Sequence, residues 1–165
     1  MAGEKTESSS PGRLTPLQQD LLTEFFGREQ RLFLTGGAAL VGFDFAHRTT
    51  DDLDLFAPPP LDLDEADRTL ADSVAALGAS LTSVSRHADF RRWRVVRGDE
   101  TCVVDLVVDR APMVDDTKRA VGQVRLDTLR EMTANKVCAL VSDLPLRELN
   151  RVQIPFHAAS FRGAA

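Results

Sequence analysis

The sequence predicts an α+β domain, a small mixed β-sheet with helices at its sides. Three observations predict it. Apolar residues recur at helical spacing in residues 15–27, 64–77 and 129–141. From Ser80 to Val108 the period falls to two. Between the first two helical segments lie two short apolar runs, 31–34 and 51–57, bounded by turn residues. No internal repeat or second domain is visible, and 165 residues suffice for one core burying roughly 70% of the unfolded surface.

Each element has a local cause. Thr15-Pro-Leu-Gln18 combines a capping-box pattern with proline at the first helical position. Leu17, Leu21, Leu22, Phe25 and Phe26 then form the inward stripe of a helix ending near Gly27. Residues 31–34 make a short strand that delivers the chain to Gly36-Gly37; 37–43 make a short helix, and 51–57 a strand stopped by Pro58-Pro59-Pro60. Residues 64–77 form an amphipathic helix with Leu70, Val74 and Leu77 inward, closed by Gly78. Strands are expected over 81–84, 90–96 and 101–108, the last two joined across Gly98-Asp99-Glu100. Residues 109–122 read as a polar loop, 124–126 as a brief extended piece, and Asp127 as the cap of a helix reaching Ser142. Residues 1–13 read as a disordered leader, 14–142 as the folded core, and 143–165, which lack periodicity, as an irregular tail.

Composition narrows the class of function. The apolar fraction of 43% and charged fraction of 27% are those of a soluble globular protein. No apolar run approaches the ~20 residues that cross a bilayer, and the N-terminus has no apolar signal-peptide core. Cys102 and Cys138 are too few for a disulfide framework or a zinc site; both lie in apolar runs and are expected as small buried hydrophobes in a reducing cytoplasm. The net charge of −5 argues against non-specific coating of nucleic acid. Arg86, His87, Arg91, Arg92, Arg94 and Arg97 nonetheless crowd together, either as a polyanion-binding patch or as solvated strand residues.

The chemistry concentrates in few residues. Asp52-Leu-Asp54-Leu-Phe56 places two carboxylates at i and i+2 of an apolar strand, on one face and roughly 6.5–7 Å apart along it. They can share a cation, or they can decorate an exposed edge. The preceding Gly36-Gly37 offers backbone N–H groups at a helix start, where phosphates bind. Asp105 interrupts the apolar run Cys102-Val-Val-Asp-Leu-Val-Val108 and needs compensation, from a cation shared with Asp52 and Asp54 or from an arginine of the neighbouring strand. The basic residues are mostly arginine, with only Lys5, Lys118 and Lys136 as lysines. Lys136 falls on the stripe of Leu129, Met132, Val137 and Leu140, where it either snorkels or points into a cleft.

Taken in order, four segments resemble the AbiEii/MenT-type nucleotidyltransferase toxins of the wider DNA-polymerase-β-like superfamily. They are Leu34-Thr-Gly-Gly-Ala-Ala-Leu40, His47-Arg48-Thr-Thr-Asp-Asp-Leu-Asp-Leu-Phe56, Val104-Asp105-Leu106 and Ala134-Asn135-Lys136-Val-Cys-Ala-Leu140. The likeness covers residues 32–142 and implies a polymerase-β-like core. It implies a Mg²⁺-dependent (or Mn²⁺-dependent) transfer of NMP from an NTP to an acceptor, with pyrophosphate leaving. For several members the acceptor is the end of a tRNA, and such toxins are encoded beside an antitoxin. By this resemblance Asp52, Asp54 and Asp105 hold metal, and Asp105 helps orient or deprotonate the attacking hydroxyl. Gly36 and Gly37 contact the triphosphate, Arg48 and Lys136 neutralise it, and His47 is either a site residue or a structural one.

The pattern departs from the family after Ser142. Asp143 stands where an arginine is expected, and Arg151 where a second acidic residue is expected. The resemblance therefore admits a short or C-terminally degenerate member. Two alternatives to a tRNA-modifying toxin follow: a relic of the fold that binds nucleotide, an antitoxin or a second copy of itself, and an enzyme that modifies a small molecule of antibiotic type.

Overall fold

The computed structural model describes residues 14–42 and 50–142. The expected leader 1–13, His47 and Arg48, and the tail 143–165 with Asp143 and Arg151 lie outside the described residues. The chain forms two compact units, Met1–Met132 and Thr133–Ala165. The sheet belongs wholly to the first.

Helix α1 (Pro16–Phe26) starts as its sequence dictates. The Thr15 hydroxyl accepts the Gln18 N–H at 3.2 Å, and the Gln18 side chain accepts the Thr15 N–H at 2.9 Å. Strand β1 (Phe33–Thr35) leads directly into α2 (Gly36–Gly42), and β2 (Asp52–Ala57) follows. Helix α3 (Leu63–Ala76) is capped by Asp62. Strands β3 (Ser80–His87), β4 (Phe90–Arg97) and β5 (Glu100–Val108) form a meander; β6 (Arg119–Val121) and β7 (Val124–Leu126) form a second hairpin, and α4 (Leu129–Ser142) closes the described chain.

The seven strands lie in the order β3-β4-β5-β2-β1-β7-β6. Pairing is parallel at β2–β5 and β1–β7 and antiparallel elsewhere. Alternation along each strand separates two faces. Leu34, Leu53, Leu55, Val95, Cys102, Val104, Leu106 and Leu126 share one core with Leu17, Leu21, Phe25 and Phe26 of α1 and Ala66, Leu70 and Val74 of α3. The alternate residues, including Thr35, Asp54 and Asp105, therefore project from the opposite face.

Three elements differ from expectation. β3 runs to His87 rather than stopping at Val84, and a bulge interrupts its pairing with β4 between Ser83 and Ser85. Beyond Val84 it continues through Ser85, Arg86 and His87, polar residues that carry no hydrophobic signature. β6 lies inside the expected polar loop, all three residues exposed; it is made by register with β7 across Gly122, whose φ of 58° supplies the turn. The cap of α4 is Thr128, not Asp127: the Thr128 hydroxyl accepts the Glu131 N–H at 3.2 Å. On α4, Leu129 and Val137 are exposed rather than inward, and so is Cys138, whereas Cys102 is buried as expected.

Asp127 is diverted from capping by a stronger partner. One of its oxygens accepts the Lys118 ammonium at 2.7 Å and the Thr128 N–H at 3.0 Å; the other accepts the Thr35 hydroxyl at 2.9 Å. The Lys118 ammonium also lies 4.1 Å from the centre of the Phe33 ring. Both side chains of this ion pair are buried, at 3% and 0% exposure. The lysine taken into the fold of the first unit is thus Lys118, while Lys136 is exposed. Replacing Lys118 with Met strands the Asp127 charge and should cost about 3–5 kcal/mol in urea unfolding. Adding Asp127→Asn to that variant should recover part of the loss.

Candidate functional site

The site begins with how β2 is entered. Gln18, buried in the first turn of α1, donates its side-chain amide to the Thr50 carbonyl at 2.8 Å. The Asp51 carbonyl then accepts the Val103 N–H at 2.9 Å, starting the parallel β2–β5 ladder. In that register Asp52 lies opposite Val103 and Asp54 opposite Asp105. Adjacent strands are ~4.8 Å apart, so Asp54 and Asp105 project side by side from the same face, with Asp52 two residues along.

The row continues in both directions. Thr35 of β1 is the register partner of Asp54, and Arg92 of β4 is that of Asp105. Arg92 grips Asp105 with a two-pronged contact, Nε to Oδ1 at 2.8 Å and Nη2 to Oδ2 at 2.6 Å. Asp105 is buried, at 5% exposure, and the ion pair holds the Arg92 guanidinium firmly protonated. Asp54 has no such relief. No donor among the described residues hydrogen-bonds its carboxylate, and its pKa is raised from 3.8 to about 6. Burial is the main cause, followed by the negative charges of Asp105 and then Asp52, with Arg92 opposing.

Gly36 makes that packing possible. Its φ is +66°, and a Cβ there would fall 2.1 Å from Asp54 Oδ2. The glycine turn is therefore both a left-handed backbone position and the floor beneath a carboxylate. Gly36→Ala should push Asp54 aside and destabilise the fold by roughly 1–3 kcal/mol, read from chemical denaturation.

The donor set suits a hard divalent cation in part. Asp52 and Asp54 offer carboxylate oxygens on one face, and one or two carboxylates are what Mg²⁺ takes from a protein beside substrate phosphates. Burial, and after it the charges of Asp105 and Asp52, raise the pKa of Asp54, which no donor among the described residues hydrogen-bonds. The expected three-carboxylate set is not assembled, however. Among the described residues no group of three His, Cys, Asp or Glu side chains is placed to hold a metal, and Arg92 engages both oxygens of Asp105. The compensation of Asp105 is the neighbouring-strand arginine that the sequence left as its alternative.

The other expected residues fall as follows. Gly36 and Gly37 open α2. Lys136 belongs to the second unit, exposed on α4. The arginine cluster divides between ion pairs. Arg86 and Arg91 bind Asp64 and Asp67 of α3, with the Trp93 indole also donating to Asp67; Arg97 binds Asp20 and Glu100; Arg94 is exposed. Cys102 is buried, and its thiol is pushed up to about 12, chiefly by that burial.

An open mixed sheet carries paired carboxylates beside a glycine turn. A family model described as the nucleotidyl transferase AbiEii toxin of type IV toxin–antitoxin systems matches residues 20–152, and the chain belongs to that family. Two solved structures share the fold: JHP933 from Helicobacter pylori, and a predicted nucleotidyltransferase from H. pylori. Both are 15% identical over 74% of this chain, with TM-scores of 0.55 and 0.56. The chain spans 54% and 55% of their lengths. No curated protein matches it significantly.

The raised pKa of Asp54 has a stability consequence with a definite sign. The folded value lies above the unfolded one, so the folded state binds the extra proton between pH 3.8 and about 6. Relative stability is greatest below pH 3.8 and is lost as the pH rises through 6. Asp54→Asn should therefore stabilise the metal-free protein at pH 7–8, by up to about 3 kcal/mol at ~1.4 kcal/mol per pKa unit. The gain should vanish near pH 4 in thermal melts with EDTA.

Proposed function

We propose that the protein is a divalent-metal-dependent nucleotidyltransferase acting as the toxin of a type IV toxin–antitoxin pair. It transfers a nucleoside monophosphate from an NTP to the end of a tRNA in the cytoplasm, and a cognate antitoxin is its partner. The observation that supports this best is the in-register approach of Asp54 and Asp105, with Asp52 on the same face and Gly36 packed against Asp54. Family membership supports the reaction class.

Asp52 and Asp54 would hold Mg²⁺ or Mn²⁺, which when bound supplies Lewis acidity at the phosphates. Gly36 and Gly37, without side chains, let the triphosphate approach the backbone N–H groups, and Arg48 would draw its negative charge. Asp105 orients the acceptor hydroxyl. The hydroxyl oxygen attacks the α-phosphorus in line, the bond to the bridging oxygen breaks, and pyrophosphate leaves.

Purified protein incubated with Mg²⁺, each labelled NTP and total RNA tests the reading. The expected result is labelling of tRNA from one NTP or a few, reduced about 100-fold or more by Asp52→Asn or Asp54→Asn. Labelling unaffected by both variants overturns the site. NTP-dependent thermal stabilisation without any labelled RNA would leave a nucleotide-binding relic or a small-molecule acceptor in its place.

A further inference from the structure

The contact between Arg92 and Asp105 does more than neutralise a buried charge. Asp105 is fixed by the β-ladder and covered, whereas the Arg92 side chain is 43% exposed at the far end of the contact. Its guanidinium also lies over the Phe90 ring, 5.6 Å from the centre, so an apolar platform supports it independently of Asp105. Asp105 faces a second carboxylate, Asp54, that has no hydrogen-bond donor among the described residues. One partner of the clasp is buried; the other reaches it from the exposed side along a long stem.

We propose that Arg92 is a built-in competitor for the metal site, occupying the third carboxylate, Asp105, and being displaced from it when a divalent cation is shared with Asp52 and Asp54. The inference rests on the proposed function only in taking Asp52 and Asp54 as a cation site. It gives the site two settings. Without cation, the arginine holds Asp105 closed and spares the sheet a third uncompensated carboxylate. With cation, Asp105 becomes a ligand and the guanidinium returns to the open face beside Phe90. Apparent cation affinity then reports the difference between two counter-charges on one carboxylate.

Mn²⁺ binding to the full chain without nucleotide, followed by electron paramagnetic resonance, tests this directly. Arg92→Met keeps the stem and removes the fork, and should tighten Mn²⁺ binding about tenfold. Arg92→Lys keeps the charge without the two-pronged geometry and should fall between, and it carries the test if the Met variant does not unfold cooperatively in EDTA. Arg94→Met, two residues along the same face and outside the clasp, should change affinity by about twofold or less. The gain should disappear in Arg92→Met/Asp105→Asn.

Equal or weaker binding by both Arg92 variants overturns the proposal. So does an equal gain from Arg94→Met, which would make the effect one of net charge, and so does a gain that survives Asp105→Asn. If neither wild type nor the Arg92 variants bind Mn²⁺, the cation site of the proposed function falls as well. If wild type binds and the Arg92 variants are no tighter, only the clasp falls.

Discussion

Two carboxylates side by side on adjacent parallel strands repel each other, and β2 and β5 bring Asp54 and Asp105 into that arrangement. The sheet supports them through its backbone ladder and the apolar residues behind it. Leu53, Leu55, Val104 and Leu106 are essentially fully buried on the opposite face, against α1 and α3. A one-residue slip would turn the leucines and valines outward and the aspartates into the core, so hydrophobic burial enforces the register that electrostatics opposes. Core burial thus holds a locally unfavourable charge arrangement in place, as functional sites commonly require.

The rest of the charged row shows how unevenly that repulsion is relieved. Asp105 has Arg92, and Asp127 has Lys118 with the Thr35 hydroxyl. Asp54 lies between them in the row, with Thr35 and Asp105 as its cross-strand neighbours. Burial first, and then the neighbouring negative charges, raise the pKa of this one carboxylate, and the glycine beneath it leaves room for nothing bulkier. The strain is concentrated where a positively charged ligand is of most use.

Much of this was legible from the residues alone. The capping box of α1, the strand carrying Asp52 and Asp54, the isolated Asp105 and the glycine turn all follow from local pattern, because each rests on neighbours in sequence. Arg92 was less legible because its importance depends on cross-strand register. A three-residue connection through Glu100 would set Trp93 against Asp105. The observed pairing of Arg97 with Glu100 leaves only Gly98-Asp99 between the strands and brings Arg92 there instead. Lys118 was hidden for a related reason: it lies in a polar stretch, and only the return of β6 onto β7 and the position of Asp127 take it inside. Lys136 drew notice through helical spacing, yet spacing alone does not bury a helix face, and Leu129 and Val137 on that stripe are exposed.

The bulge in β3 bears on how copies of this protein meet one another. An open sheet ends in two strands whose outward N–H and C=O groups can template a further strand. Here the β3 margin is kinked between Ser83 and Ser85 and carries Arg86 and His87 beyond the kink, while the opposite margin, β6, is only three residues long. Neither offers a long, flat, apolar rail. Among the described residues, extension of the sheet from molecule to molecule is disfavoured at both ends, so neither edge offers a ready route to fibrillar stacking.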